Sequence, residues 1–190
     1  MQEMTQWQDE TLVVDEEIVL RSVHERYEAS LYALVVANRA FLQQAMNWPQ
    51  YVIGPEETRK TLHGNYLLHH RGYAKMFLIF HDETLCGVVS FNQVEPLNKT
   101  AYIGYWLEEG AQGRGIISRS IQAIMRHYAD KGEVRRFVIK CIVTNEASNR
   151  VAQRNGFSLE GCLKQAEYLN GDYHDQNIYG RIIEAAQNTP

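Results

Sequence analysis

The chain has 190 residues, 45% hydrophobic and 22% charged, with a formal charge of −4, ordinary values for one globular domain with a single core. The charge argues against a general nucleic-acid or anionic-membrane binder, which works through a basic excess, and is compatible with a cationic substrate such as an amine. Three cysteines, Cys86, Cys141 and Cys162, are odd in number and widely spaced, which speaks against a disulfide framework and for a reducing compartment, the cytoplasm.

Residues 1–15 are polar and acidic, without the basic and apolar pattern of a signal peptide. They are expected to form an extension ahead of a single domain over 16–190. No later run approaches the about 18 apolar residues of a membrane span. Ile18 to Val23 reads as a strand. From His24 to Met46, Tyr27, Leu31, Leu34, Val35, Phe41 and Leu42 recur at near-helical spacing, and Trp48-Pro49 closes that region because proline disfavours helix at the residue before it. A second helix starts at Gly54-Pro55, with Glu56 and Glu57 suiting its first turn, and ends near Gly72.

The texture then changes. Met76 to Phe80 and Cys86 to Phe91 flank the short polar link His81 to Thr84, the pattern of a hairpin. Thr100 to Leu107 reads as a third strand of the meander. Ile117, Ile121, Ile124, Met125 and Tyr128 mark one face of a helix closed by Gly132. Phe137 to Val143 is a nearly continuous apolar strand, as in a sheet covered on both faces. Ala147 to Asn155 is expected to be a helix stopped by Gly156, and Ser158 to Tyr168 and Tyr173 to Ile183 to be strands turning at Asn170-Gly171. This order predicts a mixed α/β (α+β) domain with a mainly antiparallel sheet, not a repeated βαβ series.

Between the third strand and its helix lies Gly110-Ala111-Gln112-Gly113-Arg114-Gly115-Ile116-Ile117-Ser118. A nucleotide-triphosphate loop needs Lys-Ser or Lys-Thr after its glycines, and here Ile116-Ile117 follow Gly115. The dinucleotide pattern fails where Ser118 replaces its third glycine, and it belongs to a parallel unit. The elements of an anion site remain: a strand end, two alternate glycines, a cation in Arg114, and a helix start whose N–H groups have no intrahelical acceptor. The loop alone leaves open a plain, tight strand-to-helix turn.

Gln112-x-x-Gly115, opening a helix after an antiparallel meander, resembles the acetyl-coenzyme A pyrophosphate loop of the GNAT N-acetyltransferases, with Ile117 where that pattern carries Gly or Ala. Thr144 to Phe157 resembles the family's "N-x-x-S … GF" block. The strings at 41–52, 58–76, 94–107, 112–118, 135–141 and 160–175 together are similar to the bacterial ribosomal-protein-serine N-acetyltransferases, from about Leu20 to Ile183. The resemblance implies helices on both faces of the sheet and a splayed central strand pair. It also implies acetyl-coenzyme A as donor, held by Trp106, Leu107, Gln112, Gly113, Arg114, Gly115, Ile116, Ile117, Ser118, Asn145 and Asn149. The implied acceptor is the α-amine of an N-terminal serine on the stalk protein of the large ribosomal subunit, and the implied assembly a homodimer.

Transfer to an amine needs a base, because an α-amino group with a pKa near ~8 is largely protonated at neutral pH. The resemblance points to Glu167. It gives the leaving thiolate Ser148 as its proton donor, since Ala152 stands where the wider family often places a tyrosine. Read without the family, Glu167 is a solvated charge and Ser148 and Asn145 are helix caps. No Cys/His set has zinc spacing, so no metal is expected, and no G-x-S-x-G elbow marks a hydrolase. Two other readings stay open: acetylation of a small amine, and a non-catalytic coenzyme A-binding sensor.

Overall fold

The computed structural model describes residues 8–184. Eight strands form one sheet: β1 (Thr11–Val13), β2 (Ile18–Ser22), β3 (Lys75–His81), β4 (Thr84–Glu95), β5 (Thr100–Leu107), β6 (Arg136–Ile142), β7 (Ser158–Leu169) and β8 (Asp172–Ile182). Four helices accompany them: α1 (Glu28–Leu42), α2 (Pro55–Arg71), α3 (Ile116–Asp130) and α4 (Glu146–Arg154). The strand order is β1-β2-β3-β4-β5-β6-β8-β7. Every pairing is antiparallel except β5 with β6.

Local chemistry explains most boundaries. Gly54 begins α2, its N–H donating to Glu57 Oε2 at 2.9 Å, and Pro55 takes the first helical position, where no N–H is needed. Gly72, at φ 82°, ends the helix in the left-handed conformation that glycine adopts without a Cβ penalty. The β7–β8 turn uses Asn170 and Gly171, at φ 51° and 85°, which matches the twist of the strands it joins. The first helical region departs from expectation. Its leading turn, Glu25–Tyr27, is a 3-10 turn, α1 stops at Leu42, and Trp48–Tyr51 forms a second 3-10 turn with Pro49 buried.

β1 is a strand that the sequence pattern does not predict, paired with β2 through Thr11↔Arg21, Leu12↔Leu20 and Val13↔Val19. Thus part of the expected extension over 1–15 belongs to the sheet, while residues 1–7 lie outside the described residues.

Two cores cover the two faces. Strand alternation along β3 sends Phe77 and Ile79 to one, with Ile121, Ile124, Met125 and Tyr128 of α3 and Ala152 of α4. It sends Met76, Leu78 and Phe80 to the other, with Leu31 of α1 and Leu62 of α2. The expected mixed sheet with helices on both faces is therefore present. Among the described residues, no helix is long and apolar enough to cross a membrane.

The feature that creates a site is the short contact between β5 and β6. Their parallel register runs only from Thr100↔Arg136 to Ile103↔Ile139. Beyond it β5 continues to Leu107 beside β4, and β6 continues to Ile142 beside β8. The two central strands splay, and one edge of β5 from Gly104 onward faces a gap.

Candidate active site

A cleft of about 1440 Å³ runs through that gap and reaches both faces of the sheet. Its first wall is the glycine loop. After Leu107 the chain makes a 3-10 turn at Glu109–Ala111. Gln112 then folds back, its Nε2 donating to the carbonyls of Leu107 (3.1 Å) and Glu108 (3.2 Å). Gly113 and Gly115 have φ 78° and 69°, conformations that an L side chain strains to adopt, so this path demands glycine. Helical bonding of α3 reaches back to Gly115, whose carbonyl accepts the Arg119 N–H at 3.0 Å, and Gly115 has no side chain to cap the amides that follow it. A row of outward N–H groups at the positive end of the helix dipole is an anion cradle.

The loop is braced from behind. Arg119 donates to Arg114 O (3.0 Å), Asp15 Oδ2 (2.8 Å) and Glu17 Oε2 (2.9 Å). Ile116 is buried in the core, so what it offers a ligand is its backbone. Ile117 packs against the core and also lines the cleft. Hence an isoleucine is accommodated here: its side chain has an apolar wall to pack on while its amide stays in the helix start. Arg114 itself is exposed and does not line the cleft. The cations that do are Lys60, Lys140 and Arg154.

The second wall is the start of α4. Asn145 accepts the Ser148 N–H at its Oδ1 (3.1 Å), a helix cap in geometry, and it also lines the cleft. Ser148 Oγ lies 2.6 Å from the Tyr105 hydroxyl. Cys141, on β6, is buried, and burial pushes its thiol up while a hydrogen bond from Ser148 opposes that shift. Ala152, one turn beyond Ser148, is fully buried and offers only a methyl group.

Asn149 stands apart from the other residues expected at the donor site. It is 9% exposed and does not line the cleft. Its Nδ2 donates to the carbonyls of Ile142 (3.1 Å) and Asn145 (2.7 Å). Its Oδ1 accepts from Asn177 Nδ2 (2.8 Å) and the Tyr179 hydroxyl (2.7 Å). The amide is committed to joining α4, β6 and β8, so this residue shapes the wall from behind.

Glu167 lines the cleft from β7. Its Oε2 accepts from Gln176 Nε2 at 2.7 Å. The β7–β8 register jumps from Leu163↔Gln176 to Glu167↔His174, so β7 bulges over Lys164 to Ala166. Gln165 sits at φ 48° with its N–H donating to Asp175 Oδ1 at 2.8 Å, and Lys164 Nζ donates to Asp175 Oδ2 at 3.1 Å. A bulge re-aims the residues that follow it, and here Glu167 follows.

The opposite mouth of the cleft carries residues that no sequence motif marks: Trp48, Tyr51, Glu57 and Asn92, with Trp106. Trp48 and Trp106 are neighbours, ring centroids 5.8 Å apart at 50°. Alternation along β5 puts Trp106 on the α1–α2 face and Tyr105 against the α3–α4 core, so a period-2 signal for Tyr105 is present in the sequence. Among the described residues no three His, Cys, Asp or Glu side chains converge as metal ligands.

Known proteins share this architecture. Residues 17–158 match the acetyltransferase (GNAT) domain family. The chain is 59% identical over 176 residues to a ribosomal-protein-serine acetyltransferase of Escherichia coli K12, covering 93% of this chain and 98% of that one. A solved structure of RimL, a ribosomal L7/L12 alpha-N-protein acetyltransferase in a disulfide-linked complex with coenzyme A, superposes with a TM-score of 0.91. It is 60% identical, with 93% of this chain and 99% of that chain covered. A Salmonella typhimurium acetyltransferase that modifies the N-terminal serine of ribosomal protein L7/L12 gives a TM-score of 0.86 at 56% identity, over 92% and 100% of the two chains. With a splayed sheet, a glycine cradle at α3 and a match over most of its length, this chain belongs to the GNAT acetyltransferase family.

Proposed function

We propose that this protein moves the acetyl group of acetyl-coenzyme A to the α-amine of the N-terminal serine of ribosomal protein L7/L12. The observation that carries this reading is the cleft that joins the glycine cradle of α3 to the Glu167 carboxylate through the β5–β6 gap. The residues fit the donor. Gln112 to Ser118 offer backbone N–H groups to its pyrophosphate, and the gap beside Gly104 to Leu107 admits its pantetheine arm. Lys140 and Arg154 supply positive charge along the cleft.

The thioester supplies an activated acetyl group. Glu167 accepts the proton of the ammonium, directly or through water, so that the free amine attacks. N–H groups on the unpaired edge of β5 support the carbonyl oxygen as it gains charge. A C–N bond forms and the C–S bond breaks; the attacking nitrogen gives its second proton to water, and Ser148 passes its hydroxyl hydrogen to the departing sulfur and regains one from solvent. Tight, near-complete likeness to proteins named for this acceptor supports the choice of amine.

Incubation with acetyl-coenzyme A and a panel of intact L7/L12, Ser-starting peptides and polyamines tests this, with free thiol and product mass as readouts. Acetylation at the serine N-terminus is expected. Transfer to polyamines alone would move the acceptor to small amines, and tight coenzyme binding without transfer would favour a sensor. We extend the proposal to a cytoplasmic homodimer. Its cytoplasmic part follows from a ribosomal acceptor. The dimer has support at the β7 edge of the sheet, where Leu159, Leu163 and Tyr168 are exposed, with Tyr173 exposed on the neighbouring β8. Sedimentation equilibrium at a mass near twice 22.0 kDa is the expected result.

A further inference from the structure

Ser148 has one hydrogen and several claimants for it. A serine hydroxyl donates once and accepts twice, and around Ser148 stand the Tyr105 hydroxyl at 2.6 Å and the buried Cys141 sulfur. Which way the hydrogen points decides whether the serine can serve a sulfur in the cleft. Tyr105 is well placed to decide it. Its ring packs against the α3–α4 core, and its backbone is fixed in register opposite Val89 of β4. Burial pushes its phenol up to about 12, so it keeps its hydrogen at every working pH.

We infer that Tyr105 is a positioning residue for transfer, its hydroxyl donating to Ser148 Oγ and thereby turning the serine hydrogen toward the sulfur side of the cleft. The 2.6 Å separation is that of a well-formed hydrogen bond between two hydroxyls. The opposite direction, serine donating to phenol, would leave the departing sulfur without the serine hydrogen. Ala152 supplies no competing hydroxyl. The pair therefore acts as a relay of orientation, with Tyr105 fixed by the core and Ser148 at the reacting end. This inference rests on Ser148 as the donor to the leaving sulfur.

A double-mutant cycle tests it in the full-length protein. Tyr105→Phe keeps the packing ring and removes one hydroxyl, so kcat is expected to fall about tenfold with KM for acetyl-coenzyme A within about twofold. Ser148→Ala is expected to lose at least as much, and the double variant to be no slower than Ser148→Ala alone, because the phenol acts only through the serine. Coenzyme A affinity by calorimetry checks that each variant still forms the donor site. An unchanged kcat in Tyr105→Phe beside a slow Ser148→Ala overturns the role of Tyr105 alone. Equal losses from Tyr105→Phe in both backgrounds overturn the coupling. Full activity in Ser148→Ala removes the serine from the donor role, and this inference with it.

Discussion

Glu167 and Asn149 do their work by different means, and substitutions separate them. The Glu167 carboxylate has one oxygen held by Gln176 at 2.7 Å, and an amide oxygen at the same place can accept the same hydrogen bond. Glu167→Gln thus removes the base while keeping the geometry. An α-amine has a pKa near ~8, so proton removal matters most below that value and little where the amine is already free. The variant is expected to lose about 100-fold in rate at pH 7 and progressively less as pH rises past ~8. A pH–rate profile of unchanged shape would take Glu167 out of the role. Asn149, in contrast, is a buried tie with five protein partners. Asn149→Ala takes the acceptor from the Asn177 amide and the buried Tyr179 hydroxyl and removes the bonds to the carbonyls, and is expected to destabilise by about 2–3 kcal/mol. A urea midpoint measured at pH 7 reads that loss, which a ligand-only role would not produce. Nothing in the string Asn145-Glu146-Ala147-Ser148-Asn149 distinguishes the two asparagines, because both stand near a helix start and only the packing of β8 behind Asn149 commits its amide.

Elements bounded by local chemistry are legible in the amino-acid sequence: α2 between Gly54-Pro55 and Gly72, β5 over Thr100 to Leu107, and the Asn170-Gly171 turn. Their signals lie within a few residues of the chain. Features that depend on distant partners are not legible from pattern. β1 is three residues long and exists because β2 offers an open edge, and the splay exists because β5 and β6 share only four paired positions. The site is legible mainly by likeness: the glycines mark an anion cradle, while Glu167 and Ser148 in the raw sequence read as a solvated charge and a cap. The β7 bulge is equally hidden, for Lys164-Gln165-Ala166 carries no glycine where φ turns positive. Asp175 holds that bulge, and the Gln165 N–H and Lys164 keep its carboxyl below the ordinary value. Asp175→Ala frees the segment that aims Glu167, so kcat is expected to fall by up to about tenfold with KM for acetyl-coenzyme A unchanged. Asp175→Asn retains an acceptor for the Gln165 N–H and is expected to keep most of the rate. Equal losses in both variants would mean that the bulge does not aim the carboxylate.

Across the whole molecule, the N-terminal edge is locked to the rest by a partly buried charge far along the sheet from the splay. Glu10 directly precedes β1, and its N–H donates to Ser22 Oγ at 2.9 Å. Its Oε2 accepts the Tyr128 hydroxyl of α3 at 2.6 Å and stands 3.4 Å from His69 Nε2 of α2, with Lys131 Nζ 3.8 Å from Oε1. Lys75 Nζ, bonded to His69 O at 3.0 Å, adds positive charge. Glu10 thus reaches β2 through its backbone, and α2 and α3 through its carboxylate. The His69 ring beside it holds the carboxyl well below the usual carboxylate range, with the Tyr128 hydroxyl and Lys75 acting the same way and burial opposing them. A depressed folded-state value means that ionised Glu10 favours the folded state. Its contribution is complete above the unfolded value of about 4.3 and is lost progressively as pH falls below it toward the folded value. Glu10→Gln is expected to lose about 1–3 kcal/mol at pH 7, because the partners lose their countercharge while the shape is kept. The gap between variant and parent, from urea unfolding at a series of pH values, is expected to narrow steadily below pH ~4. A gap that stays constant into acid would assign the stabilisation to packing of the side chain, and would leave the charge of Glu10 without a part in holding β1 to the sheet.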